Sequence, residues 1–338
     1  MINNIALTGC GNVGTALLEL LHEKKDELKE KYGYEYKVVL ITDLMKGAIM
    51  NPEGLDLEEV LAAIKRDRSF NSFAQAGGSF GELLDASGAT VLAECTPTNL
   101  KTGEPGYSHI KKALSRGINV TTSNKGPLAV AFDELTKLAG ECGASFSYEG
   151  VVMSGTPLID MIKNGLAGCS VLKVEGILNG TTNYILTKMG TGMTYADALA
   201  EATSLGYAEA DPSGDVEGWD AAVKVSILTK IIFGLDVPVS DVTRIGITLV
   251  TPQHMEEAKR RGCVIKLIAG IRFDALGIHL YVMPKEIPVD HPLAAISGAT
   301  NAVTIETDNL GEVTLTGAGA GRRETGQALL SDMIRMSR

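Results

Sequence analysis

Nowhere in these 338 residues does an apolar run approach the roughly 18 to 20 residues that a bilayer span needs, so no membrane partner is expected. Cysteine is scarce. The five, Cys10, Cys95, Cys142, Cys169 and Cys263, are scattered singly, and an odd number without CxxC spacing argues against a disulfide framework and a zinc site. Five histidines form no HExxH or other paired ligand spacing. Positive charge is in deficit, with 31 Lys and Arg against 41 Asp and Glu and a net charge of -10. That excludes a nucleic-acid partner, because a phosphate backbone requires a basic face. The opening MINNIALTGCGNVG lacks the charged n-region of a signal peptide, so a cytoplasmic protein with reduced thiols is expected. Internal repeats and low-complexity linkers are also absent.

What is present is the composition of a soluble enzyme, 45% hydrophobic and 21% charged, with 38 glycines for tight turns and close backbone approaches. The length suits two domains. The apolar run Ile2 to Leu7 leads into Gly9-Cys10-Gly11-Asn12-Val13-Gly14, and a helical pattern follows from Thr15 to about Lys31. Tyr36 to Thr42 reads as a buried strand ending at Asp43, which completes a βαβ start. Further helices are predicted at Leu57 to Arg66, His109 to Ser115 and Phe132 to Cys142, and strands at Val91 to Cys95, Asn119 to Thr122 and Ala144 to Tyr148. This alternation predicts an α/β fold with a Rossmann-type, doubly wound parallel sheet over 1–150, completed by about 310–338. From 151 to 309 the pattern changes to an α+β domain with a mixed sheet, with strands at Leu172 to Leu178, Ile265 to Phe273, Ile278 to Val282 and Ala302 to Thr307. Its helices are expected at Thr182 to Lys188, Tyr195 to Leu205 and Trp219 to Phe233. The segment 317–321 reads as a second glycine loop entering a helix, Glu324 to Met336.

A GxGxxG alone is a weak signal, but here a strand ends at Thr8 and a helix begins near Val13. Gly9 permits the turn, Gly11 lets backbone approach a pyrophosphate, and Gly14 lets the helix pack on the sheet. The helix N-terminus offers N–H groups to the phosphates. Asp43 is placed to hold a ribose 2′-OH, which favours NAD, while Lys46 could instead pair with a 2′-phosphate, so use of either cofactor is expected.

The densest polar cluster is Leu205 to Lys224, with five carboxylates between Glu209 and Asp220. A calcium loop is ruled out, since it would need Gly at Val216 and an acid at Ala222. What remains is an acidic loop running into a helix on which Asp220 and Lys224 share a face. Spacing alone permits a plain surface ion pair. The apolar neighbours Ala221, Ala222, Val223 and Val225 favour a part-buried lysine able to protonate an alkoxide.

Six segments taken together resemble homoserine dehydrogenase over nearly the whole chain. They are GCGNVG (9–14), SNKGPLA (123–129), EGVVMSGTPLI (149–159), GILNGTTNYIL (176–186), LGYAEADPSGDVEGWDAAVK (205–224) and GAGAGRRETGQALLSD (317–332). The first is common to many dehydrogenases, whereas the fourth and fifth are specific. The resemblance implies reversible hydride transfer between NAD(P)H and L-aspartate 4-semialdehyde, giving L-homoserine on the route to threonine, methionine and isoleucine. It implies Lys224 as proton donor and acceptor with Asp220 its partner, and Lys125 as a second catalytic lysine near nicotinamide and substrate. Glu209 would bind the substrate's amino group, with Asn179, Gly180, Thr181 and Asp215 shaping the pocket. The cofactor set becomes Gly9, Gly11, Asn12, Val13, Gly14, Asp43, Thr96, Lys125 and Gly321. A monovalent cation such as Na+ is implied at Glu149 and the carbonyls of Val152, Ser154 and Thr156, against a purely structural carboxylate at Glu149.

A homodimer built through the second domain's sheet is also implied. Arg322 and Arg323 depart from the family pattern, and either a cofactor phosphate or Glu324 could engage them. The chain ends at Arg338 without an amino-acid-sensing regulatory segment or fused kinase, so weak or absent inhibition by threonine is expected. Two other readings stand beside this one: another Rossmann oxidoreductase acting on an aspartate-derived substrate, or a non-catalytic dinucleotide sensor.

Overall fold

The opening apolar run forms β1 (Ile2–Thr8), the central strand of a six-stranded sheet. In the computed structural model, which describes residues 2–274 and 277–338, the chain divides into two units, Met1–Gly155 with Gly321–Arg338, and Thr156–Ala320. In the first unit β1 leads to α1 (Asn12–Glu23), α2 (Lys25–Tyr32), β2 (Glu35–Asp43), β3 (Gly47–Met50), α3 (Leu57–Asp67), α4 (Phe80–Ser87) and β4 (Val91–Glu94). Then come α5 (Gly106–Leu114), β5 (Asn119–Thr122), α6 (Lys125–Glu141) and β6 (Phe146–Ser147). The strand order is β3-β2-β1-β4-β5-β6, parallel throughout except for the antiparallel edge strand β3. The order reverses between β1 and β4, where doubly wound sheets bind dinucleotides.

Apolar clusters lie on both faces of the sheet, and for that reason Val38–Ile41 of β2 and Val91–Ala93 of β4 are continuous apolar runs rather than alternating ones. One core joins Ile5, Leu7, Leu17, Leu21 and Ile41 to Leu329, Leu330 and Met333 of the C-terminal helix. The other joins Leu40, Leu92 and Val120 to Leu84, Ile110, Leu114 and Leu135.

Local departures from expectation have local causes. The single helix expected to Lys31 breaks at Lys24 (φ -103°, ψ 11°), and the second piece buries only Leu28 before Gly33 ends it in the left-handed region. The helix expected from Phe132 begins at Lys125, because Asn124 caps it through Gly126 N; a kink at Ala131 separates its two parts. α4, with a Ser79–Glu82 capping box, and the four-residue strand β3 were not expected.

In the second unit α7 (Leu158–Asp160) runs into a π turn, Met161–Gly165. β7 (Val171–Ile177), α8 (Gly180–Met189), α9 (Tyr195–Ser204), α10 (Ser213–Val216) and α11 (Trp219–Phe233) follow. β8 (Thr243–Arg244), α12 (Pro252–Arg260), β9 (Cys263–Asp274), β10 (Gly277–Pro288), β11 (Thr300–Thr307) and β12 (Gly311–Ala318) complete it. The sheet order is β12-β11-β7-β9-β10-β8, antiparallel except for β8 against β10. β12 takes residues that read as a glycine loop. Only Gly317 and Ala318 of that segment lie in β12, with Gly319 just after it; both glycines are needed because Thr156 and Asn301 occupy the space a side chain would need. The C-terminal helix α13 (Arg322–Met336) returns to the first unit.

Candidate active site

In the first unit the three glycines of the opening turn have different physical reasons. Gly9 has φ +85°, and a Cβ there would fall 2.5 Å from the carbonyl carbon of Cys95. A Cβ on Gly14 would strike the carbonyl oxygen of Gly9, so α1 could not lie against the turn. Gly11 differs from both. It is exposed, and a Cβ there would meet nothing within 4 Å. Packing gives no reason for that glycine, whereas a phosphate approaching the backbone does. It is the N-cap of α1 and supplies no side-chain cap, which leaves the first N–H groups free. Asn12 is exposed beside it and Val13 is half-buried.

Asp43 ends β2 against this turn. Its Oδ2 accepts the amide of Cys10 at 2.8 Å, and its Oδ1 accepts those of Met45 and Lys46, both at 3.0 Å. Lys46 Nζ lies 3.8 Å from the same carboxylate. At the end of β4, Glu94 accepts the Thr96 amide at 2.8 Å and the Thr96 hydroxyl, while Asn124 donates to Thr96 Oγ1 at 3.3 Å. Lys125 is the first residue of α6 and is half-buried.

Gly321 (φ +137°) opens α13, and its carbonyl accepts the Thr325 hydroxyl at 2.7 Å. Arg322 and Arg323 pair with Glu19 (2.6 Å) and Glu23 (2.5 Å) of α1, not with Glu324. Those partners lie two and three turns along α1 from its N-terminus, which directs the guanidiniums away from the glycine turn.

Glu149 is buried, with Oε2 at 3.7 Å from the Arg335 guanidinium; the Glu149 amide bonds Asp332, itself fully buried. Ser154 is a non-glycine residue in the left-handed region (φ +52°), held by Thr325 Oγ1 at 2.7 Å. Val152 is buried in the same loop; Thr156 opens the second unit, where its hydroxyl donates to Ala318 O at 3.0 Å. Among the described residues no cluster of three or more His, Cys, Asp or Glu could hold a metal ion. All five cysteines are free.

In the second unit Asn179 organises the polar cluster. Its Oδ1 caps α8 by accepting Thr182 N at 2.9 Å, and its Nδ2 donates to Asp215 Oδ1 at 2.6 Å and to Asp220 Oδ2 at 3.2 Å. Lys224, with a side chain only 7% exposed, places Nζ 2.7 Å from Asp220 Oδ2 and 2.7 Å from the carbonyl oxygen of Leu178. The part-buried lysine of the sequence reading is therefore found, and the surface ion pair is not. Burial is the largest effect on the Asp215 carboxyl and raises it, with the charge of Asp220 adding to the rise.

Thr181 donates to the Tyr207 carbonyl at 2.7 Å, which ties the acidic loop to α8. Gly180 is required because a Cβ would fall 2.5 Å from Ala299 O. Glu209 is exposed on that loop, with no recorded partner among the described residues. Direct contacts thus join Asn179, Asp215, Asp220 and Lys224. The Leu178 carbonyl and the buried Glu94 were not foreseen. A backbone acceptor leaves no mark in a sequence; an acid closing an apolar strand before Thr-Pro is the signal that could have found Glu94.

Comparison with known proteins follows the same division. The homoserine dehydrogenase family model matches residues 157–334, and the model of the NAD binding domain of homoserine dehydrogenase matches residues 9–149. The NAD(+)-dependent homoserine dehydrogenase of Pseudomonas canavaninivorans is 44% identical over 336 residues, 98% of this chain and 95% of that protein. The homoserine dehydrogenase of Methanocaldococcus jannaschii is 40% identical over 334 residues, 98% of this chain and 97% of the relative. Among solved structures, a hyperthermophilic archaeal homoserine dehydrogenase in complex with NADPH aligns with a TM-score of 0.84 at 33% identity, covering 100% of this chain and 98% of that one.

Proposed function

The chain belongs to the homoserine dehydrogenase family, and from that premise we propose how its residues divide the work of the reaction. The reaction is the reversible, NAD(P)H-dependent reduction of L-aspartate 4-semialdehyde to L-homoserine, an oxidation or reduction at a CH–OH group. A different Rossmann reductase or a non-catalytic sensor is not favoured, since the family match runs on through residues 157–334.

The dinucleotide role goes to the first unit, with Gly9, Gly11, Asn12, Val13, Gly14, Asp43, Thr96, Lys125 and Gly321 as its contacts. Bound there, the dinucleotide supplies or accepts the hydride. Support comes from Gly11, whose missing side chain has no packing explanation. Asp43 favours NAD, because its negative charge opposes a 2′-phosphate.

The observation that carries the mechanism is the Lys224 ammonium between Asp220 and the Leu178 carbonyl, each at 2.7 Å. The Asp220 carboxylate and the Leu178 carbonyl hold it in place. In the reductive direction Lys224 gives a proton to the alkoxide forming on the substrate; in the oxidative direction it takes one from the hydroxyl. Asn179, Gly180, Thr181 and Asp215 shape the pocket, and Glu209, an exposed acid on the loop after α9, takes the substrate ammonium. Lys125 is assigned as the second catalytic lysine on the family resemblance.

The test is oxidation of L-homoserine by wild type and Lys224→Ala. Turnover should fall about 10²- to 10⁴-fold with the cofactor dissociation constant retained. An unchanged rate in the mutant removes this mechanism.

A monovalent cation such as Na+ is proposed at Glu149 with the carbonyls of Val152, Ser154 and Thr156. Its support is a buried carboxylate and the left-handed Ser154, a strained backbone of the kind that functional loops hold. Arg335, 3.7 Å from Glu149, already meets part of that charge, so no step of the chemistry is assigned to the cation. A homodimer through the second unit's sheet is proposed on the family resemblance, with residues 1–150 and about 310–338 for the cofactor and 151–309 for substrate and dimerisation. Among the described residues no helix is long and apolar enough to cross a membrane, and five unpaired cysteines support a cytoplasmic location.

A further inference from the structure

Glu94 closes β4 with no exposed surface, and the proton and hydride steps above give it no task. Its Oε1 accepts the amide of Thr96 at 2.8 Å and the hydroxyl of the same residue; its Oε2 accepts Thr122 Oγ1 at 2.7 Å. Thr122 Oγ1 in turn accepts the Asn124 amide at 3.0 Å. Asn124 donates to Thr96 Oγ1 at 3.3 Å and to Pro97 O at 3.4 Å, and caps α6 one residue before Lys125. One carboxylate therefore ties the loop after β4 to the start of α6. The space around it is full: a Cβ on Gly106 would lie 2.6 Å from Asn124 Nδ2 and 3.2 Å from Glu94 Oε2.

Among the described residues, every hydrogen-bond partner of this carboxylate is a neutral donor. Burial raises the Glu94 carboxyl, and the hydrogen bonds from Thr96, Thr122 and Asn124 oppose that rise. His109, 3.5 Å from Thr8 Oγ1, is held neutral by burial, its pKa pushed down to about 4. Glu94 faces Thr8 across the β1–β4 ladder, at the reversal of strand order where doubly wound sheets receive a dinucleotide.

We propose that Glu94 is a positioning residue for the nicotinamide end of the cofactor, fixing Thr96 and the helix start that carries Lys125, and that its unbalanced negative charge favours the oxidised, cationic ring over the reduced, neutral one. The proposal rests on the cofactor site assigned above. Opposite charges in a low-dielectric site attract far more strongly than in water, and only one redox form of the ring carries the charge.

The experiment measures dissociation constants of NAD+ and NADH, by cofactor fluorescence and calorimetry, for wild type, Glu94→Gln and Glu94→Asp, with a thermal midpoint for each. Glu94→Gln keeps the size, loses the charge and turns one acceptor oxygen into an NH2 that faces a donor; NAD+ affinity should fall several-fold more than NADH affinity. Glu94→Asp keeps the charge on an arm one methylene shorter. It should keep the preference for NAD+ and lose kcat. A merely structural Glu94 would weaken both redox forms together in Glu94→Gln, and that result, or no change in either form, overturns the proposal. If Glu94→Gln does not fold, Thr122→Val removes one donor that stabilises the anion, and the same comparison applies with a smaller shift. A wild-type protein that binds neither form would remove the cofactor site instead.

Discussion

The carboxylate of Asp43 holds the backbone amide of Cys10 at 2.8 Å, across 33 residues of chain. The acid at the end of β2 and the glycine turn after β1 are therefore one unit, not two features that happen to face a ligand. The same carboxylate accepts the amides of Met45 and Lys46. Asp43→Asn keeps the size but exchanges one acceptor oxygen for an NH2 that must confront an N–H. With NAD, kcat/KM should fall about tenfold, close to 1.4 kcal/mol, the scale of one lost charge-assisted hydrogen bond. The ratio of NADP to NAD activity should rise, because the charge opposing a 2′-phosphate is gone. Steady-state kinetics with both cofactors would check this, and an unchanged ratio would leave Asp43 with the turn alone.

Asn179 is the corresponding joint in the second unit. Its two ends cap α8 and hold Asp215 and Asp220. Asn179→Ala should lower stability by about 1 kcal/mol through the missing cap. It should also raise KM for homoserine well beyond any change in the cofactor's KM. Asn179→Asp places a third carboxylate against two others and should be worse on both counts, since like charges in one site resist ionisation together. Thermal melts and the two KM values separate these expectations; equal change in both KM values would count against a substrate role.

Much of this was legible from residue pattern. β4 is a short apolar run between turn residues, β1 carries one at Ile5 to Leu7, and the Gly-x-Gly-x-x-Gly turn lies between a strand and a helix as its spacing implies. The Asp220–Lys224 contact follows from a four-residue helical spacing, and its burial from the apolar residues around it. What was not legible depends on tertiary partners. Nothing near Gly317 and Gly319 in the sequence reports that Thr156 and Asn301 fill the space beside them, so the last two residues of a strand read as the start of a loop. Arg322 and Arg323 find acids on α1, some 300 residues away, rather than the neighbouring Glu324. The Leu178 carbonyl that holds Lys224 is backbone, identical in chemistry at almost every residue.

The loop at Glu149 gives a salt prediction. Arg335 partly balances this buried acid, so exchange of Na+ for choline at constant ionic strength should change kcat/KM by less than about threefold in wild type. Arg335→Met removes the built-in cation and should make activity depend on added Na+. A strong Na+ requirement in wild type would show that the guanidinium does not substitute for the ion.

The last expectation concerns stability and comes from Lys266 of β9, a buried lysine whose ammonium donates to Asn183 Oδ1 at 3.1 Å and to the Ile296 carbonyl. Neither acceptor carries a charge. Burial lowers its pKa to about 8 from an ordinary 10.5. Between these values the unfolded chain holds a proton that the folded protein has released. Stability attributable to this residue should therefore rise as pH increases from about 8 toward 10.5, and the penalty of the buried charge is fully present below 8. A fall from 10.5 to about 8 corresponds to roughly 3 to 4 kcal/mol at most. Lys266→Met fills the same space without a charge, though it leaves Asn183 Oδ1 and the Ile296 carbonyl without that donor, so its gain at pH 7 should be smaller than the full penalty. The decisive quantity is the slope: the difference in unfolding free energy between mutant and wild type should shrink steadily from pH 8 to 10. Parallel curves over that range would mean that Lys266 keeps its proton in the fold, stabilised by its two acceptors more than burial destabilises it.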